Sequence, residues 1–290
     1  MTRALEIEVF LAKAKWSSAL REPIPGDAGN RRYERLTDTT RGNAILMDAE
    51  PKLGEDIRPF LKIARHLSDC EISSPEIFSH DILLGLILMQ DFGDELLYKV
   101  AKESPDLELP LYRLAIDTLR KLHQSPPPTE VTCYLAPEMA KASATTLSWY
   151  CDEALSREIG LEVENSLQPL VWSNPVLVLR DYHAQNLVYR NEQTGLAQMG
   201  VLDFQDAQLG HPLYDAASLI HDARRSLDPS VVDLLMKELA ENYNGGDDFE
   251  YAFAALSAQR NLRILGVFSR LCLRDGRPKY LNLIPHVWKN

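Results

Sequence analysis

Residues 176–186 of the chain read Val-Leu-Val-Leu-Arg-Asp-Tyr-His-Ala-Gln-Asn, and residues 201–206 read Val-Leu-Asp-Phe-Gln-Asp. In each segment a short apolar run ends in polar side chains, a pattern typical of a buried strand that leads into a loop. Asp181, Asn186 and Asp203 are therefore expected where strands end. Carboxylate and amide oxygens suit a hard cation, and a carboxylate also accepts the proton of an attacking hydroxyl. The pattern indicates a phosphoryl-transfer site.

Each of these residues has a predicted role in such a site. Asp181 is the predicted base, because a carboxylate beside a cation stays ionised at neutral pH. Asn186 and Asp203 are predicted to bind Mg²⁺, which bridges the donor phosphates and offsets their charge. One amide oxygen and one carboxylate leave most of the octahedral shell of the ion to phosphate oxygens and water.

The same residues resemble the aminoglycoside phosphotransferase branch of the protein-kinase-like fold. The catalytic loop of that family reads His-x-Asp-x-His-x-x-Asn before an Asp-Phe metal motif. Asp181, His183, Asn186 and Asp203 match it, while the family's first histidine falls on Leu179. The resemblance implies a bilobal α+β fold with a small β-rich N-lobe and a larger, mostly helical C-lobe. It implies ATP and Mg²⁺ as cofactors, and it places His183 in the catalytic group, orienting the substrate or packing beneath the loop.

A narrower resemblance rests on residues 203–207, 259–262 and 273–278. These segments look like the bacterial N-acetylmuramate/N-acetylglucosamine anomeric kinases of cell-wall sugar recycling. That likeness implies transfer of the γ-phosphoryl group of ATP to the anomeric hydroxyl of an amino sugar. Two alternatives stay open: a phosphotransferase for another small hydroxyl compound (aminoglycoside, choline or homoserine), and a nucleotide-binding pseudokinase that acts as a scaffold.

Composition narrows the class of protein. The chain has 290 residues, of which 45% are hydrophobic, so it has room for about two domains with a sizeable core. Its net charge of −11 argues against nucleic acid or an anionic membrane as the main partner. A small-molecule amino sugar and ATP are the expected partners.

The four cysteines form no C-x-x-C pair, so the sequence signals neither a zinc site nor a disulfide framework. No apolar run is long enough to span a membrane, and the first 15 residues do not resemble a secretion signal. Reduced thiols and the lack of a targeting segment predict a cytoplasmic protein.

The stretch 26–33 reads as a turn between strands and occupies the place of the loop that covers ATP phosphates in kinase-like folds. Gly26 and Gly29 would let backbone N–H groups approach the phosphates, and Arg31 or Arg32 would add charge-assisted hydrogen bonds. A polar hairpin in solvent is the alternative, since the denser Gly-x-Gly-x-x-Gly pattern is absent.

A second departure from the family lies just beyond this turn. Residues 44–50, the next predicted strand, contain no lysine, and the helix predicted over 57–67 contains no glutamate. Both members of the usual ion pair are missing together. We therefore expect Arg31 or Arg32, or less favourably Lys52, to supply the cation for the phosphates.

Two further strands are predicted at 77–78 and 83–89, joined by a turn at 79–81. Residues 90–94 read as a Gly-containing turn after the second strand. In the resembled fold this is the hinge between lobes, whose backbone binds the adenine edge, so Met89, Gln90 and Asp91 are the predicted nucleotide contacts. The predicted domains are a nucleotide-binding lobe, 1–91, and a catalytic and substrate-binding lobe, 92–290.

The remaining chain reads as helices over 3–19, 137–158, 214–223, 230–243 and 249–273. Tyr150 on the second of these is a candidate for stacking on a sugar, with core packing as the alternative. Asp206 and Arg224 are the other candidates for acceptor contacts. Asp215 suits a helix start, and the resemblance implies that its carboxylate braces the catalytic loop.

Overall fold

The computed structural model describes residues 2–25, 30–172, 174–246 and 248–289. Gly26 and Gly29 of the predicted phosphate loop lie outside the described residues. Over the described part of the chain the strands are, in order, β1 (Leu20–Ile24), β2 (Arg32–Asp38), β3 (Gly42–Asp48), β4 (Ile77–Asp81), β5 (Leu86–Gln90), β6 (Val176–Val178), β7 (Leu187–Tyr189), β8 (Met199–Val201) and β9 (Gln208–Gly210).

The α-helices are α1 (Arg3–Lys13), α2 (Arg58–Asp69), α3 (Leu97–Glu103), α4 (Glu108–His123), α5 (Ala136–Leu147), α6 (Glu153–Leu167), α7 (Tyr214–Ile220), α8 (Pro229–Glu241), α9 (Phe249–Leu273) and α10 (Ile284–Val287). The chain divides into two compact units. One consists of Met1–Asp94 and Arg190–Gln205, and the other of Glu95–Tyr189 and Asp206–Asn290. The sequence placed a boundary after residue 91, whereas the division falls after Asp94 and assigns the later segment 190–205 to the first unit.

A five-stranded antiparallel sheet forms the centre of the first unit, in the order β1-β2-β3-β5-β4. The register places Ala44 of β3 opposite Gln90 of β5, and Asp48 opposite Leu86. Helix α1 packs on one face of this sheet, where Phe10 and Leu11 meet apolar side chains of β2, β3 and β5 in a single buried cluster. Burying that face stabilises both the sheet and the helix.

Two predicted boundaries in the first unit are wrong. Helix α1 ends at Lys13 rather than near residue 19, because Lys15 has a left-handed φ of 63° that stops the helix. The turn between β4 and β5 covers residues 82–85, not 79–81. Gly85 has a φ of +66°, and a Cβ there would lie 2.0 Å from the carbonyl oxygen of Ala49, so only glycine fits this turn.

The second unit is mostly helical, and its longest helix, α9, spans 25 residues as the sequence predicted. Phe268 and Leu271 of α9 form a buried cluster with Leu147, Ala223 and Tyr280. Gly266 lets α9 approach α5 closely, since a Cβ there would lie 2.1 Å from the backbone of Thr146. Strands β6 and β9 pair antiparallel beside this helical core.

The single helix predicted over 137–158 is wrong. The structure has α5 and α6 instead, and Tyr150 lies between them. Asp152 begins the second helix, because its Oδ1 accepts the backbone N–H of Leu155 at 2.9 Å as an N-terminal cap. An aspartate able to cap a helix, inside an apolar pattern, is the sequence signal for two helices instead of one. Among the described residues, no helix has the length and apolar character needed to cross a bilayer.

Candidate active site

The loop after β6 carries Asp181 at the end of a three-residue turn. The backbone N–H of Asp181 donates to the carbonyl of Leu179 at 2.9 Å, and Arg180 between them has a φ of +69°. A non-glycine residue in this region is strained. Such a turn persists only where the surrounding structure holds it, and it directs the half-buried side chain of Asp181 out of the strand.

Asp215 at the start of α7 holds that turn. Its Oδ2 accepts the N–H of Leu179 at 2.6 Å, and its Oδ1 accepts the N–H of Arg180 at 2.9 Å. Asp215 is fully buried, and burial raises the pKa of its carboxyl to about 7, although the two backbone N–H groups act in the opposite direction. Both oxygens are thus used to fix the backbone that leads into Asp181.

A second buried carboxylate braces the same loop, and the sequence analysis did not identify it. Asp222 accepts the N–H of Ala184 through Oδ2 at 3.3 Å and the N–H of Arg224 through Oδ1 at 2.9 Å. No feature of the sequence links it to this loop, since Ala184 lies 38 residues earlier and α7 ends at Ile220, before Asp222. Two carboxylates therefore support the loop, one at each side of Asp181.

Asn186 is oriented by the loop itself. Its Nδ2 donates to the carbonyl of Asp181 at 2.9 Å, which directs the amide oxygen away from that carbonyl. His183 lies beside it, with Nε2 3.3 Å from Asn186 Nδ2 and Nδ1 accepting the N–H of Gln185 at 3.3 Å. Burial, and then Arg224, lower the pKa of His183 well below its usual value, so the ring is neutral.

The three candidate acceptor residues lie in different surroundings within the second unit. Arg224 is half-buried, with its guanidinium carbon 5.6 Å from the centre of the Phe268 ring. Tyr150 accepts a hydrogen bond from the indole N–H of Trp288 at 3.0 Å. The Asp206 side chain is exposed. The backbone carbonyl of Asp206 accepts a hydrogen bond from the guanidinium of Arg180 at 3.3 Å.

Within the first unit, Asp203 follows β8 and has a left-handed φ of 56°. Its Oδ1 accepts a hydrogen bond from the side chain of Gln205 at 2.8 Å. Phe204 between them is fully buried and packs on Phe60 of α2, with ring centres 4.7 Å apart. The buried ring anchors the backbone, while the Asp203 side chain remains exposed.

Arg31 forms an ion pair with Glu55, with Nε 2.8 Å from Oε2. Tyr33 lies close to both side chains and to Asp203: burial and then Asp203 raise the pKa of Tyr33 to about 12, while Arg31 acts in the opposite direction. Arg32 and Lys52 are exposed. Arg31 and Asp203 thus both lie close to Tyr33. Glu55 lies three residues ahead of α2, outside the predicted helix 57–67, so the sequence did not suggest this ion pair.

The segment after β5 is fixed by an arginine that the sequence did not suggest. Asp91 accepts hydrogen bonds from Arg35 Nε at 2.6 Å and from the N–H of Gly93 at 2.8 Å. Arg35 also binds Asp94, and these carboxylates raise its pKa. Met89 is buried in β5, and the N–H of Gln90 donates to the carbonyl of Glu76 at 2.8 Å. The Asp91 side chain is thus engaged by protein groups.

The residues predicted to bind Mg²⁺ fit a hard cation in their chemistry. Within the described residues no group of three or more His, Cys, Asp or Glu side chains could hold a metal by itself. The predicted set is one amide oxygen from Asn186, oriented by its own loop, and one exposed carboxylate from Asp203. Such a sparse set is what Mg²⁺ uses when phosphate oxygens and water complete its shell.

Comparison with known proteins supplies the family context. A model of a family described as "Phosphotransferase enzyme family" matches residues 21–253. An N-acetylmuramate/N-acetylglucosamine kinase of Caulobacter vibrioides is 32% identical, over 96% of this chain and 88% of that protein. A protein of the same name from Pseudomonas aeruginosa is 29% identical, over 97% of this chain and 86% of that protein.

Solved structures with much lower identity share the fold. A GDP complex of aminoglycoside 2′-phosphotransferase-IIIa has a TM-score of 0.68 at 15% identity, covering 100% of this chain and 98% of that chain. A choline/ethanolamine kinase family protein from Mesorhizobium loti has a TM-score of 0.64 at 17% identity. The match covers 99% of this chain and 93% of that chain. These likenesses confirm the predicted α+β fold of the aminoglycoside phosphotransferase type.

Proposed function

The chain belongs to the phosphotransferase enzyme family, and on that premise we propose that it is an ATP-dependent kinase of N-acetylmuramate and N-acetylglucosamine. In this proposal the γ-phosphoryl group is transferred to the anomeric hydroxyl, and the product is a sugar 1-phosphate. The observation that carries the proposal is the likeness to kinases of that name over nearly the whole chain. The braced turn at Asp181 supports it from the chemistry of the site.

Asp181 is the residue that accepts or orients the proton of the sugar hydroxyl. An anomeric hydroxyl is more acidic than an ordinary alcohol, so a weak base suffices when the acceptor is well placed. Asp215 fixes the backbone before Asp181 through two hydrogen bonds, and Asp222 fixes the backbone after it. The proposal therefore assigns catalysis mainly to orientation and charge.

Asn186 and Asp203 are the residues that would hold Mg²⁺. When bound, the ion offsets the charge of the donor phosphates. His183 is neutral and buried against Asn186, so its place in the proposal is to position that amide rather than to transfer a proton. Leu179, which replaces the family histidine, contributes its backbone N–H to Asp215.

Arg31 is the proposed cation for the donor phosphates, in place of the usual strand lysine. Glu55 orients it at 2.8 Å, as the helix glutamate orients the lysine in the resembled fold. The backbone around Met89, Gln90 and Asp91 is the proposed adenine contact. The Asp91 carboxylate is not part of that contact, because it is bound by Arg35.

The direct test is ADP release from ATP with a panel of acceptors: both N-acetylated sugars, an aminoglycoside, choline and homoserine. We expect turnover with the two sugars, and a phosphorus NMR signal of a phosphate on the anomeric carbon. Asp181→Asn is the matched variant, and it should lower kcat by about 100-fold or more, the scale of a lost general base. Turnover of another acceptor alone, or of none, would contradict the proposal.

A further inference from the structure

One face of α9 lies against Tyr134. Gln259 donates from Nε2 to the hydroxyl oxygen of Tyr134 at 3.3 Å. Arg263 is four residues further along, so it lies one helical turn away on the same face. The ring of Tyr134 meets the ring of Tyr214 edge-on, with centres 5.5 Å apart. Arg263 therefore lies beside a pair of buried tyrosines.

Two other arginines lie close to this pair of tyrosines, and each donates to a backbone carbonyl. Arg180 places its guanidinium carbon 4.5 Å from the centre of the Tyr134 ring and donates to the carbonyl of Asp206 at 3.3 Å. Arg260 is buried and donates to the carbonyl of His221 at 3.2 Å. Carbonyl oxygens orient both guanidinium groups, and Arg260 also lies within electrostatic range of Asp222 and Asp181.

The side chain of Arg263 forms no hydrogen bond or ion pair with the described residues. Burial lowers the pKa of Arg263, but neighbouring groups, including the carboxylates of Asp181 and Asp206, raise it by more, so the side chain stays charged. A partly buried guanidinium without a partner is unfavourable, and its planar fork of N–H donors matches the two oxygens of a carboxylate. The free fork lies within electrostatic range of Asp181, the proposed base.

We infer that Arg263 binds a carboxylate of the acceptor, with Arg180 and Arg260 adding positive charge, and so favours N-acetylmuramate over N-acetylglucosamine. The inference rests on the proposed function. The two sugars differ by one group, because N-acetylmuramate carries a lactyl ether that ends in a carboxylate and N-acetylglucosamine has a hydroxyl in its place. An arginine that binds this carboxylate contributes to kcat/KM for N-acetylmuramate and not to kcat/KM for N-acetylglucosamine.

The test compares wild type with Arg263→Met, which keeps the length of the side chain and removes its charge. We expect kcat/KM for N-acetylmuramate to fall about 10- to 100-fold, the scale of one charge-assisted hydrogen-bonded pair. The value for N-acetylglucosamine should stay within about threefold, which also shows that the variant is folded. Arg263→Lys should recover part of the loss. Arg157→Met, on the exposed face of α6, is the matched control and should change neither substrate.

Equal losses for both sugars would overturn the inference and indicate that Arg263 acts on the transferred phosphate. Unchanged values for both would overturn it as well. In either case wild-type turnover of the sugars would leave the proposed function standing. Failure of the wild-type enzyme to use either sugar would instead overturn the proposed function, and this inference with it.

Discussion

The carboxylate of Asp215 accepts the backbone N–H of Leu179 at 2.6 Å, across 36 residues of sequence. Its second oxygen accepts the N–H of Arg180, whose φ of +69° is strained for a residue other than glycine. The bonds hold a backbone conformation that a free loop would not adopt. They also explain how the loop is braced although leucine stands where the family has its first histidine.

Replacing Asp215 by Asn should displace Asp181. An amide offers one acceptor oxygen, and its NH₂ group would face one of the two N–H donors. We expect kcat to fall about 100-fold, the effect of misplacing a reacting group by roughly 1 Å, with the KM for ATP little changed. We expect the free energy of unfolding to fall by about 2 kcal/mol, because a buried N–H loses its partner.

Steady-state kinetics and urea denaturation measure the two effects of Asp215→Asn. Asp228→Asn is the matched control, since Asp228 caps α8 by accepting the N–H of Ser230 at 2.8 Å and asparagine caps helices equally well. A fully active Asp215→Asn enzyme would show that the turn does not depend on this carboxylate.

Arg31→Met should raise the KM for ATP by about tenfold, the loss of one charge-assisted contact with the phosphates. Glu55→Gln should produce a smaller rise, because Arg31 would remain but lose its orienting partner. Arg32→Met and Lys52→Met are the controls, since both side chains are exposed. A larger effect at Arg32 or Lys52 than at Arg31 would show that Arg31 is not the cation that binds the phosphates.

Gly266→Ala should destabilise the second unit although alanine favours helix. The new Cβ would lie 2.1 Å from the backbone of Thr146, and backbone cannot move aside as a side chain does. We expect a loss of about 2 kcal/mol or more in the free energy of unfolding. Gly160→Ala is the graded comparison, because its Cβ would approach its nearest atom, the methyl carbon of Ala144, at 2.8 Å and not at 2.1 Å. Equal stability of the two variants would argue against close packing of α5 on α9.

The contribution of His123 to the free energy of unfolding should decrease as the pH falls from about 7 to 5, in the opposite direction to that of Asp215, whose raised pKa makes the folded chain bind the extra proton. Burial lowers the pKa of His123 from 6.5 to about 4, and its Nε2 has no hydrogen-bond partner in the described part of the chain. Below pH 6.5 the unfolded chain binds a proton that the folded chain does not, so the stability present above that pH is lost. From pH 7.5 to pH 5 this amounts to about 2 kcal/mol.

His123→Gln should reduce that pH dependence of the free energy of unfolding, measured with urea at both pH values. His80→Gln is the control, because His80 is exposed on β4. An unchanged pH dependence in His123→Gln would assign the effect to other groups, such as the buried His183.

Sequence reasoning was most successful where the signal is local. The bounds of α9 follow from its helical period, with Asp248 accepting the N–H of Tyr251 at 2.7 Å as its cap. The position of Asp181 after an apolar strand follows from motif spacing. The prediction failed where one residue overrides a period, as Asp152 does by starting α6 inside a continuous helical pattern.

Prediction of the candidate site failed for residues whose partners are distant along the chain. Glu55 was missed because the search was confined to the helix, and Asp222 because nothing along the chain links it to Ala184, 38 residues earlier. Arg35 and Asp91, 56 residues apart, meet because β2 and β5 belong to one sheet. Each of these pairs depends on the path of the chain in space.

By itself, the sequence determined which chemical groups this protein has for phosphoryl transfer and where each lies relative to its own strand or helix. Those features follow from spacing along the chain, because the periods of helices and strands act over a few residues. Only the tertiary structure decided which partner each group has: Asp215 with the turn at Leu179, Glu55 with Arg31, and no protein partner for Arg263 among the described residues. Partners of this kind are selected by burial and distance, which bring together residues that the sequence separates.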